Sequence, residues 1–226
     1  ELVYGGGYVA TAAKTYLASR RPGSYVILPG ASDPLANLGY VDAMLELAAQ
    51  VARAEMPRPD VIVLPTGSSG ALAALSIGAA YLGWPTEIVG VRITARVACN
   101  AVTIGIIQRR TEAFLARRSA TFRARRRGPL RWSLFHGAIG PGYGEPTPAS
   151  IEGARQVERL IGASGEVTYS GKALVGLRAI ARDPAYRGKT ILLWNTLSRV
   201  RPTPSAGARE RVPKSLRWVL DAEAVA

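Results

Sequence analysis

The segment from residue 60 to residue 80, DVIVLPTGSSGALAALSIGAA, restricts the possible folds of this chain more than any other segment. Val61 to Leu64 are apolar and mostly β-branched, as is typical of a buried strand in a parallel sheet. A turn of small residues follows, and strong helix formers begin at Ala71. The segment therefore predicts a strand, a tight turn and a helix, as in an α/β protein.

The turn of this unit has the composition of a phosphate-binding loop. Its residues are Thr66, Gly67, Ser68, Ser69 and Gly70. The amino terminus of a helix leaves backbone N–H groups unpaired and carries partial positive charge. Glycines let an anion approach the backbone, and the three hydroxyl groups add hydrogen-bond donors. We expect the loop to hold the phosphate of a nucleotide or of a phosphorylated cofactor.

The rest of the chain continues the alternation of strands and helices. Besides the central unit, the patterns predict helices over residues 5–21, 39–55, 98–119, 148–161 and 171–181, strands over 25–28, 87–93, 132–135 and 189–194, and an extended stretch over 166–169. A strand, a helix and a second strand at this spacing form a βαβ unit with a right-handed crossover. The sequence predicts an α/β fold: a mostly parallel, twisted sheet with helices on both faces.

The chain is strongly basic, and almost all of the basic side chains are arginine. Its 226 residues include 29 Lys and Arg against 16 Asp and Glu, which gives a net charge of +13. Six of the eleven residues from Arg117 to Arg127 are arginine. The aromatic residues do not interleave with the arginines as a stacking platform for nucleic acid requires. We therefore interpret this segment as an exposed helix end and loop, and we do not expect a nucleic-acid partner.

Three further features limit the possible classes of protein. The single cysteine, Cys99, excludes an internal disulfide framework and a multi-cysteine metal site, and we expect it to pack in an apolar helix. The single histidine, His136, is predicted to be a loop residue rather than a general base. The apolar stretch over residues 88–107 contains Arg92 and Arg96, so we expect no membrane span. With a single cysteine, we expect a reducing, cytoplasmic location.

Four segments, taken in order, resemble those of one known family. They are LPGASDPLANLGY at residues 28–40, LPTGSSGA at 64–71, GYGEP at 142–146 and VTYSGKA at 167–173. In this set the chain resembles the pyridoxal-phosphate-dependent family of D-cysteine desulfhydrase and 1-aminocyclopropane-1-carboxylate (ACC) deaminase. The resemblance implies the tryptophan synthase β-like fold, or fold type II, and pyridoxal 5'-phosphate (PLP) as the cofactor.

The resemblance also implies roles for single residues. The loop from Thr66 to Gly70 matches the loop that holds the cofactor phosphate. Tyr143 and Tyr169 match two active-site tyrosines near the substrate, and Ser170 matches the residue that faces the pyridine nitrogen. Four more residues match positions close to the cofactor: Asn195 and Thr196 in a small polar turn beside the ring, and Ser32 and Asp33 in an earlier turn.

Several of these residues have a purely structural alternative. Tyr143 could brace a glycine-rich loop, and Tyr169 could be a core residue with a satisfied hydroxyl. Ser170 could be a helix N-cap, alone or in addition to its role at the ring. Lys172 matches a family lysine that is not the one forming the Schiff base, so we do not expect it to be catalytic.

Ser170 bears on the type of reaction that the resemblance implies. A hydroxyl beside the pyridine nitrogen leaves the ring neutral, which makes the cofactor a weaker electron sink than a carboxylate would. Such a site suits β-elimination, whereas the cyclopropane-opening branch of the family has an acidic residue there. We therefore expect a lyase or deaminase of the D-cysteine desulfhydrase kind, giving pyruvate and ammonia from a small amino acid. The alternatives are an ACC deaminase and a non-catalytic binding protein with the same fold.

The family's Schiff-base lysine lies upstream of the segment that matches residues 25–28. We therefore expect residues 1–200 to form the larger, PLP-binding part of a two-domain enzyme, followed by a basic, proline-containing tail over 201–226 that includes a short helix over 215–225. This chain alone is expected to be inactive, because the lysine is both the covalent anchor and the base. A homodimer is expected, and a separate chain could supply the amino-terminal part.

Overall fold

The computed structural model describes residues 8–27, 29–125, 127–162 and 165–198, together with residues 203, 205–212 and 214. Helices and strands alternate along this part of the chain. They are α1 (Tyr8–Ser19), α2 (Pro34–Ala52), β1 (Val61–Thr66), α3 (Gly70–Leu82), β2 (Glu87–Arg92), α4 (Ala101–Arg118), α5 (Ala120–Ala124), β3 (Trp132–Phe135), α6 (Pro148–Ile161), α7 (Ser170–Arg182), β4 (Ile191–Leu193) and α8 (Ala208–Arg211). Single 3-10 turns cover Pro29–Ala31 and Pro184–Tyr186.

The described strands form one parallel sheet in the order β3-β2-β1-β4. In the central strand β1, Val61 pairs with Glu87 of β2 on one side and with Ile191 of β4 on the other. Every residue of β1 is buried, as expected for a parallel strand covered on both faces. The predicted α/β fold with a parallel sheet and helices on both faces is therefore confirmed.

The two faces of the sheet bury alternate residues of the strands, because successive side chains point in opposite directions. Ile62 and Leu64 pack with Leu72 of α3 and Met44 of α2 on one face. On the other face, Val61, Val63, Val89 and Val91 pack with Ile180 of α7. This arrangement leaves the carboxyl ends of β1 and β2, and the loops that follow them, open at one edge of the sheet.

The structure corrects several predicted elements. Residues 25–27 form neither helix nor strand, and Tyr25 and Ile27 are exposed because the described sheet offers no neighbouring strand to cover them. Residues 167–169 form a turn instead of an extended stretch, and Cys99 is buried in the turn before α4 rather than within a helix. Where a helix was predicted over residues 5–21, the structure describes helix α1 over Tyr8–Ser19. The predicted domain boundary at residue 200 and the helix over 215–225 lie outside the described residues.

Helix α2 begins five residues earlier than the sequence pattern indicates, because Asp33 caps it. The carboxylate of Asp33 accepts hydrogen bonds from the backbone N–H groups of Leu35 and Ala36 at 2.9 and 3.2 Å, and Pro34 occupies the first helical position. The two bonds satisfy N–H groups that a helix otherwise leaves unpaired. Asp33 was predicted to lie near a cofactor; here its carboxylate stabilises its own helix.

Replacing Asp33 by alanine is expected to lower the free energy of unfolding by about 1 kcal/mol, the usual cost of losing an N-cap. Chemical denaturation monitored by circular dichroism measures this change. Asp42, which is exposed within α2, provides the matched control. Asp42→Ala removes the same charge without removing a cap, so it should not decrease stability. Equal losses in the two variants would contradict the capping role.

The described residues of the arginine-rich segment, 117–125 and 127, include the end of α4 and helix α5. Three of its guanidinium groups lie over aromatic rings of the same chain: Arg118 over Phe114, Arg125 over Tyr81 and Arg127 over Phe122. These rings are therefore already in contact with cations of the chain itself.

No helix within the described ranges combines the length and the apolar character needed to cross a bilayer.

Candidate active site

A cavity of about 620 Å³ lies at the carboxyl ends of β1 and β2. One wall is the loop from Thr66 to Gly70, and another is the loop after β2, which contributes Thr94, Ala95, Val97 and Ala98. Tyr143, Tyr169 and Thr196 complete the lining together with the segment before α2. The carboxyl edge of an open parallel sheet is where α/β proteins bind ligands, and the volume is typical of a small-molecule site.

The loop from Thr66 to Gly70 leads directly into the amino terminus of α3. Ser69 adopts a left-handed conformation with φ of 73°, which is strained for any residue with a side chain. Its hydroxyl oxygen is buried and meets the geometric criteria of a hydrogen bond with none of the described residues. The neighbouring Cys99 thiol, a weak hydrogen-bonding group, does interact with it but does not replace a full partner. A buried hydroxyl without a partner costs about 1–3 kcal/mol. A bound anion at the amino terminus of α3 would satisfy both this hydroxyl and the free N–H groups of the helix.

The segment before α2 packs directly against this loop. Ser32 Oγ donates a hydrogen bond to Ser68 Oγ at 2.6 Å. A Cβ atom on Gly70 would lie 2.6 Å from Ser32 Oγ and 2.9 Å from Asn37 Oδ1, closer than Cβ contacts in proteins come. Glycine is therefore required at position 70, where two parts of the chain separated by more than thirty residues meet.

Two tyrosines that line the same cavity form a pair. The hydroxyl oxygens of Tyr143 and Tyr169 lie 2.6 Å apart, and their rings meet edge to face. Burial raises the pKa of the Tyr169 hydroxyl, and the hydrogen bond with Tyr143 raises it further. Tyr169 is therefore a neutral hydroxyl at physiological pH, so it can hold and donate a proton but does not serve as an anionic base.

Ser170 does not line the cavity, although it is buried beside it. Its hydroxyl accepts a hydrogen bond from Glu166 N at 2.8 Å and donates to Glu166 O at 2.9 Å. The alternative in which Ser170 is the N-cap of α7 does not hold, because Ser170 is the first residue of the helix and Tyr169 occupies the cap position. The carboxylate of Glu166 supplies the capping bonds, to the N–H groups of Thr168, Tyr169 and Ser170.

The remaining predicted residues divide between the cavity and its surroundings. Thr196 lines the cavity, whereas Asn195 lies in a separate groove between α2 and β4. His136 is a loop residue whose Nδ1 accepts a hydrogen bond from Arg92 Nε at 2.8 Å. Burial and the charge of Arg92 lower the pKa of His136, so it stays neutral at physiological pH. Neither His136 nor Cys99 lines the cavity.

The sequence patterns missed two contacts that shape this site. Glu166 fixes the turn that carries Tyr169, and an acidic residue shortly before a helix start was the available signal. Lys172 is fully buried, and its Nζ donates to the carbonyl oxygens of Ile139 and Gly142 at 2.7 and 2.8 Å. Its amine is therefore occupied within the loop that carries Tyr143 and does not reach the cavity.

A parallel sheet with an anion-binding loop and a tyrosine pair at its carboxyl edge defines an α/β protein that binds a phosphorylated ligand. The family model described as pyridoxal-phosphate dependent enzyme matches residues 1–196. The chain belongs to this family of PLP-dependent enzymes. The family resemblance predicted from the four sequence segments is confirmed, as are fold type II and PLP as the cofactor.

The relatives and a solved structure agree with this membership. The D-cysteine desulfhydrases of Salmonella paratyphi C (strain RKS4594) and Salmonella choleraesuis (strain SC-B67) are each 32% identical over 153 residues, which is 68% of this chain and 43% of the relative. The crystal structure of an ACC deaminase homologue matches with a TM-score of 0.65 and 25% identity, over 85% of this chain and 56% of that one. The chain thus spans less than half the length of these curated relatives.

Proposed function

We propose that this chain forms the cofactor-binding part of a PLP-dependent lyase of the D-cysteine desulfhydrase kind, which eliminates a β-substituent from a small amino acid. The observation that carries the proposal is the shared cavity of the loop from Thr66 to Gly70 and the pair Tyr143–Tyr169. This arrangement places a binding loop for the cofactor phosphate and the two tyrosine hydroxyl groups in the same cavity. The 32% identity to D-cysteine desulfhydrases supports the choice of reaction.

The residues of the loop fit the phosphate of PLP. The unpaired, buried hydroxyl of Ser69 would donate to a phosphate oxygen, and the N–H groups at the start of α3 would supply further donors. Ser68 would contribute its hydroxyl while accepting the bond from Ser32. When bound, PLP supplies a conjugated ring that accepts electrons from the substrate's α-carbon.

The tyrosine pair would act on the substrate rather than on the phosphate. Because the pKa of Tyr169 is raised, its hydroxyl keeps a proton that can be donated to a departing sulfur atom. Tyr143 holds the Tyr169 hydroxyl in place through the 2.6 Å contact. Ala95 and Ala98, which line the same cavity, have short side chains that would leave space for a small amino acid next to the cofactor.

An ACC deaminase is the second candidate, favoured by the TM-score of 0.65 to an ACC deaminase homologue over 85% of the chain. Ser170 argues against this candidate, because the ACC deaminase branch has an acidic residue at the matching position. Ser170 has a hydroxyl instead of a carboxylate, and this hydroxyl bonds to Glu166. A non-catalytic PLP-binding protein is the third candidate. The homodimer, the cytoplasmic location and the inactivity of this chain on its own stay predictions from the sequence.

The proposal is tested by joining this chain to the amino-terminal part of a Salmonella D-cysteine desulfhydrase, the part in which the resemblance implies the Schiff-base lysine. The chimera and the unmodified chain are each supplied with PLP and with D-cysteine, L-cysteine or ACC. We expect sulfide and pyruvate in equal amounts from D-cysteine with the chimera. 2-Oxobutanoate from ACC would favour the second candidate, and PLP binding without any product would favour the third.

Replacing Ser69 by alanine is expected to weaken the binding of PLP without lowering the stability of the fold. Without ligand, the variant loses a buried hydroxyl that has no partner, so its free energy of unfolding should stay equal or rise by about 1 kcal/mol. Its affinity for PLP should fall about tenfold or more, because a hydrogen bond to a charged group is worth about 1.5–3 kcal/mol. Tryptophan fluorescence titrations with PLP and with inorganic phosphate measure the affinity. Unchanged affinity for both ligands would place the phosphate elsewhere.

A further inference from the structure

Lys172 is buried without an ion-pair partner. Its side chain has no solvent exposure, and the ion pairs among the described residues do not include it. Burial lowers the pKa of Lys172, whereas the charges of Glu145 and Glu166 act in the opposite direction. Removing an ammonium group from water costs several kcal/mol unless polar groups replace the solvent. Here the replacement is the pair of backbone carbonyls of Ile139 and Gly142.

These two carbonyls belong to the loop between β3 and α6, which has little internal structure. The loop contains Gly137, Gly140, Gly142 and Gly144, so its backbone has many accessible conformations. Its hydrogen bond from Glu145 N to Gly142 O is long, at 3.4 Å. The bonds from Lys172 therefore hold the loop against α7 at the residue that precedes Tyr143.

Lys172 lies one helical turn after Tyr169, so it joins the two elements that carry the tyrosine pair. We propose that Lys172 is a positioning residue that sets the 2.6 Å separation between the hydroxyl oxygens of Tyr143 and Tyr169. The importance of this separation for catalysis rests on the proposed function. The separation itself is a property of the chain, and it can be measured without cofactor or substrate.

Two other roles for Lys172 lead to different outcomes for Tyr169. If Lys172 acted only through its positive charge, removing it would raise the pKa of Tyr169 further, because a nearby cation stabilises the tyrosinate. If Lys172 contributed only to global stability, its removal would lower the melting temperature and leave the pKa of Tyr169 unchanged. A positioning role predicts a lower pKa, because Tyr169 then loses its partner hydroxyl and gains contact with water.

The test is a titration of the full chain labelled with 13C at the tyrosine Cζ atoms and followed by NMR. The Tyr169 signal is assigned with Tyr169→Phe. In the unchanged chain we expect Tyr169 to stay protonated to the alkaline end of the titration. In Lys172→Met, which keeps the length of the side chain, its pKa should fall toward the ordinary tyrosine value of about 10. Lys189→Met, at an exposed lysine, should leave the Tyr169 signal unchanged.

The effect must depend on Tyr143. In a Tyr143→Phe background, Lys172→Met should produce a clearly smaller decrease in the pKa of Tyr169, because only the added contact with water remains. An equal decrease in both backgrounds, or a rise, would overturn the proposal. Lys172→Gln, which can still donate to one carbonyl, is the second variant and should show a smaller decrease. Failure of both variants to fold would also overturn it, since Lys172 would then serve the fold as a whole. A failure to bind PLP would contradict the proposed function without affecting this readout.

Discussion

Replacing Gly70 by alanine is expected to weaken the binding of PLP and of inorganic phosphate by about a hundredfold. The added Cβ would lie 2.6 Å from Ser32 Oγ and 2.9 Å from Asn37 Oδ1. Moving either side chain away breaks a hydrogen bond, because Ser32 bonds to Ser68 and Asn37 bonds to Thr111 at 2.9 Å. Overpacking of this kind costs about 1–3 kcal/mol. To relieve it, the loop from Thr66 to Gly70 must shift from the position in which it would bind the phosphate.

Gly39→Ala is the matched control for this measurement. Gly39 is exposed on α2, and a Cβ there meets no atom within 4 Å. The control should bind PLP as the unchanged chain does, and its free energy of unfolding should rise by about 0.5–1 kcal/mol, since alanine favours the helix. Fluorescence titration gives the affinities, and circular dichroism verifies that both variants fold. A Gly70→Ala variant that folds and binds PLP with unchanged affinity would contradict the proposed phosphate loop.

Replacing Gly171 by alanine is expected to lower the free energy of unfolding by about 3 kcal/mol. A Cβ on Gly171 would overlap the backbone carbonyl oxygen of Ser150 in α6. The contact is reciprocal, since a Cβ on Gly153 would lie 2.5 Å from Gly171 O. Because both partners are backbone atoms, no side-chain rotation can relieve the overlap, and the two helices must separate.

Urea unfolding measures this loss, with Gly105→Ala as the control. Gly105 is also within a helix, but a Cβ there would approach only the guanidinium of Arg109, at 3.9 Å. That variant should lose no stability. Separation of α6 and α7 should also disturb Tyr169, which directly precedes α7. A Gly171→Ala variant within about 0.5 kcal/mol of the unchanged chain would show that the helices are not packed as closely as described.

The features that the sequence predicted well are those encoded by neighbouring residues. The apolar residues of β1 and the small residues after it indicate a strand and a phosphate loop without reference to the rest of the chain. Helix α6 was predicted with its full extent, because Thr147 and Pro148 begin it and Gly162 ends it. The same local reasoning failed at residues 25–27, where an apolar pattern has no neighbouring strand in the described sheet.

The contacts that complete the candidate site join residues far apart in the chain. Ser32 meets Ser68 across 36 positions, and Lys172 meets Ile139 across 33. Neither contact leaves a periodic or compositional signal in one sequence, because both depend on how α2 and α7 pack around the sheet. Ser170 illustrates the same limit, because the sequence leaves open whether its hydroxyl caps the helix, faces the ring or does both. The structure adds hydrogen bonds between this hydroxyl and Glu166 in the preceding turn, and the role at the ring stays a prediction.

The loop from Thr66 to Gly70 is proposed to bind the phosphate of PLP within the cavity shared with the tyrosine pair. A crystal structure of this chain grown with PLP shows whether it does. We expect phosphate oxygens within hydrogen-bond distance of Ser69 Oγ and of the N–H groups that begin α3, with the ring on the side of Tyr169. PLP bound at another place, with the Ser69 hydroxyl still unpaired, would contradict it.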